Sequence, residues 1–157
     1  MVEILVRRLL PGDEAAAAAM VSTMTAVFEE TSETLPADYL GNLLRSGSFW
    51  AIAAFDGTDV VGGLTAHTLP MTRSPSSEIF IYDLAVREDH QRQGVGARLM
   101  QELGRVAAEQ GISEIFVPAD NEDTGALEFY LSQGGIPQPV TFFTLPPDRP
   151  AAGAVIE

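Results

Sequence analysis

The chain has 157 residues, of which 46% are hydrophobic, so we expect one domain around a single core. Its formal net charge of −13 disfavours nucleic acid and anionic membranes as partners, because both are bound through basic patches, and suits a cationic partner or a chain that is merely soluble. Cysteine is absent, which excludes disulfides, thiolate metal sites and an acyl-cysteine intermediate.

The first part of the chain predicts a strand, two helices and an antiparallel strand pair. In chain order these are a strand at 2–9, a helix from Glu14 to about residue 30, a short helix at 37–45, and strands at 49–55 and 60–69. The turn residues at 56–59, which begin with Asp-Gly, favour a hairpin between the last two strands. In the short helix, four apolar residues share one face: Tyr39, Leu40, Leu43 and Leu44.

The second part predicts a central strand followed by two helix-strand units. The elements are a strand at 78–86, a helix at 94–110, a strand at 114–118, a helix at 123–133 and a last strand at 140–145. In the central strand Ile79, Ile81 and Asp83 alternate with Phe80, Tyr82 and Leu84, a parity that a bulge would change. The helix at 94–110 predicts a parallel crossover, and residues 146–157 form a Pro/Ala-rich tail.

Two glycines, Gly94 and Gly96, stand where the helix at 94–110 begins. They allow a tight turn that points successive N–H groups and the helix dipole towards an anion, which predicts a pyrophosphate cradle. A Walker loop would require a lysine, and the chain has none. A dinucleotide fingerprint would require a third glycine where Leu99 stands.

This segment resembles the GNAT superfamily of acyltransferases, whose signature is Gln or Arg, two residues and then Gly-x-Gly or Gly-x-Ala after a strand that ends in Leu-x-Val. The resemblance implies a GNAT fold over residues 1–157, an α/β (α+β) domain with a mixed central sheet of about six to seven strands and about four helices. It also implies acetyl-coenzyme A as cosubstrate and no metal. The residues that it places on the coenzyme are Leu84, Ala85, Val86, Gln91, Arg92, Gln93, Gly94, Val95, Gly96 and Ala97.

Three segments, at 39–46, 49–56 and 77–86, are similar to aminoglycoside 3-N-acetyltransferases of the GNAT type. The similarity implies direct acetyl transfer to the 3-amino group of an aminoglycoside and hence antibiotic resistance. Many relatives pair as dimers, and the apolar last strand offers a surface for a homodimer. Other acceptors stay open, namely a polyamine, a small amine or a protein amino group, as does a non-catalytic regulatory module that binds acetyl-coenzyme A.

The catalytic candidates are one tyrosine and two carboxylates. The family has an Ala and, four residues later, a Tyr in its last helix; Ala126 and Tyr130 match, which implies that Tyr130 protonates the leaving thiolate. The resemblance makes the Val86 N–H the donor to the oxyanion. A carboxylate must accept the proton of the attacking amine, and Glu78 and Asp83 are equal candidates. Asp83 is also compatible with a buried carboxylate that local donors satisfy.

Three acids in one loop, Asp120, Glu122 and Asp123, follow a strand end, which is where open α/β sheets bind ligands. Together with Tyr82 they are predicted to bind the cationic substrate, although Asp123 is equally a helix cap. A second acidic group is predicted to be a solvated face; it comprises Glu29, Glu30 and Glu33. His67 is predicted to be a core residue, and His90 has no recognisable partner in the sequence.

No window of the sequence is apolar enough to span a membrane. The first eight residues alternate apolar and polar side chains, unlike a signal peptide. We therefore expect a soluble, cytoplasmic protein.

Overall fold

The computed structural model describes residues 3–31 and 33–148. Its strands are β1 (Ile4–Arg8), β2 (Phe49–Asp56), β3 (Asp59–Pro70), β4 (Ser77–Val86) and β5 (Ile115–Phe116). Its helices are α1 (Glu14–Val27), α2 (Tyr39–Arg45), α3 (Val95–Glu109) and α4 (Thr124–Ser132), with a 3₁₀ turn at Glu88–His90 before α3. Within these ranges no helix has the length and apolar character needed to cross a membrane.

The five strands form one sheet in the order β1-β2-β3-β4-β5. Neighbouring strands are antiparallel except for β4 and β5, which are parallel. The predicted hairpin, the parallel crossover and the mixed α/β fold with four helices are therefore confirmed.

The predicted last strand at 140–145 is wrong, because the described part of the chain has no strand there. The sheet therefore has five strands where six to seven were predicted. A strand needs a partner for its N–H and C=O groups, and alternating apolar residues do not supply one. Phe142 and Phe143 are instead 74% and 78% exposed. Most of the predicted tail at 146–157 lies outside the described residues.

The sheet has a hydrophobic cluster on each face. On one face α3 contributes Leu99 and Leu103, which pack with Trp50, Ile52, Leu64 and Ile79. On the other face α1 contributes Met20 and Met24, which pack with small residues of β2 such as Ala51 and Ala53. The helix comes very close to β3, since a Cβ atom on Gly63 would lie 2.3 Å from the Cγ and Sδ atoms of Met20. Any larger residue at this contact would have to displace the Met20 side chain from the core.

A β-bulge in β4 decides which face of the sheet its second half presents. The register shifts between Thr65, which pairs with Asp83, and Ala66, which pairs with Ile81, so Tyr82 is an extra residue. A bulge reverses the parity of the residues that follow it. Ile81 packs on the α3 side, as it would in a regular strand, but Asp83 lies on the α1 side. A regular strand would have placed this carboxylate in the α3-side core.

Candidate active site

A cavity of about 440 Å³ lies on the α1 side of the sheet, between α1, α2 and strands β2 to β4. Most of its lining is apolar or aromatic. The lining includes Met20, Met24, Phe28, Leu35, Tyr39, Leu40, Leu43, Leu44, Phe49, His67 and Tyr82. Of the described residues that line it, Asp83 and Glu30 are acidic. The predicted apolar face of α2 is thus a wall of this cavity.

Asp83 is half-buried at the floor of the cavity. Burial raises the pKa of its carboxyl above the ordinary value, and the nearby charge of Glu30 raises it further. A carboxylate with a raised pKa holds a proton more strongly and is therefore a better general base. The position beside an open cavity suits proton transfer to or from a bound molecule.

Tyr130 is partly buried on α4, close enough to Asp83 for the two to interact electrostatically. Burial raises the pKa of Tyr130, and the charges of Asp123 and Asp83 raise it further. The hydroxyl is therefore protonated at neutral pH and can donate a proton or a hydrogen bond. Asp123 caps α4, because its Oδ1 atom accepts a hydrogen bond from the Ala126 N–H at 3.0 Å.

The strands β4 and β5 separate soon after they pair. Their register covers only the pairs of Ile79 with Ile115 and of Phe80 with Phe116. On the opposite edge of β4, Val86 faces Gly62, and the Arg87 N–H donates to the Val61 carbonyl at 2.7 Å. In an antiparallel ladder this pattern points the N–H and C=O of Val86 away from β3, into the gap that β5 leaves. The Val86 carbonyl accepts a hydrogen bond from Gln91 Nε2 at 2.8 Å.

The glycine loop, residues 91–97, has the conformation that its sequence predicts. Arg92 and Gly94 have positive φ angles of 60° and 84°, and α3 begins at the next residue, Val95. No side chain of the described residues caps the first turn of α3, so its N–H groups lack an acceptor within the helix. These donors at the positive end of a 15-residue helix fit an anionic group such as a diphosphate.

Gly96 connects the glycine loop to α4. A Cβ atom at this position would lie 3.0 Å from Cε1 of Phe129, so the ring packs directly on the helix backbone. Phe129 is the neighbour of Tyr130, and their ring centroids are 5.2 Å apart. The loop and the candidate catalytic tyrosine are thus held together by this contact.

His90 anchors the 3₁₀ turn that leads into the glycine loop. Its Nε2 atom lies 3.0 Å from Oδ2 of Asp56, at the end of β2, and its Nδ1 atom lies 2.7 Å from Oδ1 of Asp89. The Asp89 and Asp56 carboxylates raise the pKa of His90 above its ordinary value. Arg87 and then His90 lower the pKa of Asp89 to about 2. No partner for His90 was predicted from the sequence, and the structure supplies two, Asp56 and Asp89.

The other predicted catalytic carboxylate, Glu78, lies at the opposite end of β4 from Val86, where it pairs with Leu69. A hydrogen bond shared with Glu114 raises the pKa of Glu78. Glu78 is not among the residues that line the cavity. Of the two carboxylates on β4, the structure brings only Asp83 to the cavity and to Tyr130.

Among the predicted substrate-binding residues, too, one lines the cavity and the others do not. Tyr82 is 67% exposed, lines the cavity and packs edge-on against His67 with ring centroids 6.0 Å apart. Asp120 accepts a hydrogen bond from the Glu122 N–H at 2.8 Å, so it shapes its own loop. None of the three predicted acids, Asp120, Glu122 and Asp123, lines the cavity.

Sequence reasoning missed two residues of the cavity, His67 and Glu30. His67 was predicted to be a core residue, but it is partly exposed, and its ring packs at a tilt against Phe49 with 5.4 Å between the centroids. Glu30 was predicted to belong to a solvated face, and it is exposed, but it also lines the cavity beside Asp83. The only hint in the sequence was that α1 ends without a glycine, so that a residue with a side chain, Glu29, must take the left-handed conformation just before Glu30.

Residues 16–134 match the family described as acetyltransferase (GNAT) family. An aminoglycoside acetyltransferase from an uncultured soil metagenomic sample has 34% sequence identity to this chain. Its crystal structure superposes with a TM-score of 0.87 over 92% of this chain and 98% of that one. A second such enzyme from soil, crystallised with sisomicin, is 32% identical, with a TM-score of 0.84 over 90% of this chain and 95% of that one. N-acetyltransferase 8B of Rattus norvegicus is 30% identical over 92 residues, which are 57% of this chain and 40% of that protein. The chain thus spans less than half the length of this curated relative.

Proposed function

The chain belongs to the acetyltransferase (GNAT) family, and on that basis we propose that it transfers an acetyl group from acetyl-coenzyme A to an amine of an aminoglycoside, at the 3-amino group. The observation that carries the proposal is the position of Asp83: a bulge turns its carboxylate towards the cavity, and its charge acts on Tyr130. Two similar crystal structures of aminoglycoside acetyltransferases support the choice of acceptor.

The coenzyme would be held by backbone groups of two segments. The N–H groups of the glycine loop and of the first turn of α3 would bind its anionic part, and the free edge of β4 at residues 84–86 would bind its arm. Bound there, the coenzyme supplies the acetyl group as an activated thioester. The positive φ of Gly94 favours glycine at the start of α3, and a side chain at Gly96 would press on the ring of Phe129.

Three groups of the chain would carry the chemistry. Asp83 would accept the proton of the acceptor amine, which is mostly protonated at neutral pH and must lose a proton to attack. The Val86 N–H, which points into the gap between β4 and β5, would donate to the acetyl oxygen as it gains negative charge. The protonated hydroxyl of Tyr130 would donate to the leaving sulfur.

We assign the general base to Asp83 rather than to Glu78, because only Asp83 lines the cavity. The binding of cationic substrate by Asp120, Glu122 and Asp123 stays a prediction. Two of these carboxylates accept hydrogen bonds from their own loop or helix. A rise in the KM for the acceptor in the variant Asp120→Asn would support this role.

The direct test is the release of free thiol from acetyl-coenzyme A by the purified protein. Sisomicin, kanamycin, spermidine and a short peptide are offered in parallel, and the acetylated nitrogen is located by NMR. We expect release with the aminoglycosides and acetylation of the 3-amino group. Thiol release with spermidine or the peptide alone would overturn the proposal that the acceptor is an aminoglycoside. Coenzyme binding without release by any amine would favour a regulatory module instead.

A homodimer is a further part of the proposal. The segment that follows α4 carries large apolar side chains that are at least 66% exposed, namely Ile136, Val140, Phe142, Phe143 and Leu145. Apolar surface of this kind is commonly buried between subunits. Light scattering should give a dimer for the wild type and a smaller species for the double variant F142S/F143S.

Cytoplasmic location and aminoglycoside resistance stay predictions, which expression in an aminoglycoside-sensitive bacterium would test.

A further inference from the structure

Glu30 reaches the cavity through an unusual end of α1. The helix ends in the pattern of bonds that usually accompanies a glycine: the Glu29 N–H donates to the Ala26 carbonyl at 3.2 Å, and the Glu30 N–H to the Thr25 carbonyl at 3.0 Å. The residue in the left-handed conformation is Glu29, with φ of 56°. A side chain in this conformation is strained, and such strain is concentrated at functional sites.

This turn separates Glu30 from the other acids of the same segment. Glu30 lines the cavity with Asp83, whereas Glu29 does not line it. Glu33 lines a separate cavity of about 290 Å³ between α1 and α2. The chain therefore brings one particular carboxylate of this acidic segment to Asp83.

The surroundings of Glu30 and Asp83 strengthen the electrostatic interactions that their carboxylates make. The walls of the cavity are largely apolar or aromatic and include Phe28 at the end of α1, Tyr39 on α2 and Phe49 on β2. Charges interact more strongly beside such walls than in open water. Two negative charges that face one apolar cavity repel each other, and a ligand with two cationic groups relieves this repulsion more completely than a ligand with one.

We propose that Glu30 binds a second ammonium group of the acceptor while Asp83 takes the proton of the amine that is acetylated. The enzyme would then select diamines and polyamines over monoamines. This inference rests on the proposed function and names a specificity-determining residue for it. Glu30 is a positioning residue in this scheme, because it holds the acceptor and takes no part in proton transfer.

The test compares Glu30→Gln with Glu33→Gln, a matched control that removes the same charge from the same segment outside the cavity. The acceptors are sisomicin, 1,3-diaminocyclohexane and cyclohexylamine. For E30Q we expect the KM for sisomicin to rise about tenfold, as for the loss of one charge-assisted contact that is partly exposed, with kcat changed less than about twofold. The preference for the diamine over the monoamine should fall by a similar factor, and E33Q should match the wild type. Glu30→Asp should restore part of the preference.

A pH profile separates this role from a merely structural one. The ionisable groups that line the cavity with Asp83 are Glu30 at the end of α1, Tyr39 on α2, His67 on β3 and Tyr82 on β4, and Tyr130 on α4 interacts with Asp83 electrostatically. The charge of Glu30 raises the pKa of Asp83. The acid limb of the kcat/KM profile should therefore move to lower pH in E30Q and stay in place in E33Q. General damage to the fold would lower the profile without this displacement.

The outcomes distinguish this inference from the proposed function. If the wild type acetylates sisomicin and E30Q behaves as E33Q does, the role of Glu30 is overturned and the proposed function stands. If the wild type acetylates no amine, the proposed function fails. Calorimetric titration with sisomicin then decides the point, because equal affinities of the wild type and E30Q would overturn the inference and a weaker affinity of E30Q would support it.

Discussion

The glycine loop follows the end of β4, whereas the proposed acceptor cavity lies on the α1 side of the sheet, and the two are built in different ways. The loop is a run of consecutive residues, 91–97, and its candidate binding groups are backbone N–H donors. The cavity takes its side chains from α1, α2, β2, β3 and β4. A change in the loop therefore acts through backbone conformation and on the coenzyme, whereas a change in the cavity acts through one side chain and on the acceptor.

The largest effect that would test this contrast is expected for Asp83→Asn. Without a base, kcat/KM for the acceptor should fall by a factor of about 10² to 10⁴, the usual contribution of general base catalysis. The affinity for coenzyme A should stay unchanged. Steady-state kinetics and calorimetry measure the two quantities, with the exposed Asp38→Asn as a control. Loss of coenzyme affinity in D83N would show that the two regions are not independent.

Tyr130 is linked to both regions, through Phe129 to the loop and through the charge of Asp83 to the cavity, and Tyr130→Phe should have the next largest effect. We expect kcat to fall by about 10- to 100-fold, because the leaving sulfur loses its proton donor. Coenzyme affinity should be nearly intact, since the ring of Tyr130 and its contact with Phe129 remain. Tyr39→Phe, in the wall of the cavity, is the matched control. Full activity of Y130F would refute the assigned role.

Gly94→Ala addresses the loop alone. An alanine with positive φ costs about 1–2 kcal/mol, so the loop should rearrange and the Kd for coenzyme A should rise about tenfold. The KM for the acceptor should change little. Gly104→Ala is the control, because Gly104 lies inside α3 with open space around it and without a positive φ. Equal coenzyme affinity in both variants would remove the loop from the coenzyme site.

The strained end of α1 offers a smaller effect on the cavity side. Glu29→Gly should raise the free energy of unfolding by about 0.5–1 kcal/mol, because glycine adopts a positive φ without strain. Glu29→Ala removes the same charge and keeps the strain, so it should leave stability unchanged. Chemical denaturation of both variants gives the comparison. Equal stabilisation would identify charge, not strain, as the cause.

The smallest effect concerns His90, whose ring bonds to the carboxylates of Asp56 at the end of β2 and Asp89 in the 3₁₀ turn. The pKa of His90 is raised in the folded chain, so the stability that it contributes is fully present below its unfolded value of about 6.5 and is lost as pH rises through the folded value. Asp89, with a pKa of about 2, stays ionised throughout this window. The difference in unfolding free energy between the wild type and His90→Gln should therefore shrink as pH rises from about 5 through the raised pKa of His90. A difference that does not vary with pH would contradict this.

Much of the fold could be predicted because its signals are local. Apolar periodicity places the helices and strands within a few residues, and the two glycines identify the start of α3. The strand at 140–145 was wrong for the opposite reason. Its apolar pattern resembles that of the true strands, but Pro137 and Pro139 before it lack N–H donors, and a partner strand cannot be read from the segment itself.

By itself, the sequence determined the order of the elements, the glycine loop and the place of Tyr130 at the end of a helix, because covalent geometry and short-range spacing decide these features. Only the tertiary structure decided that Asp83 faces the cavity, that Glu30 joins it there and that His90 bonds to Asp56. Each of these depends on register and packing between segments far apart in the chain. A one-residue bulge is enough to move a carboxylate from the core of the protein to its candidate active site.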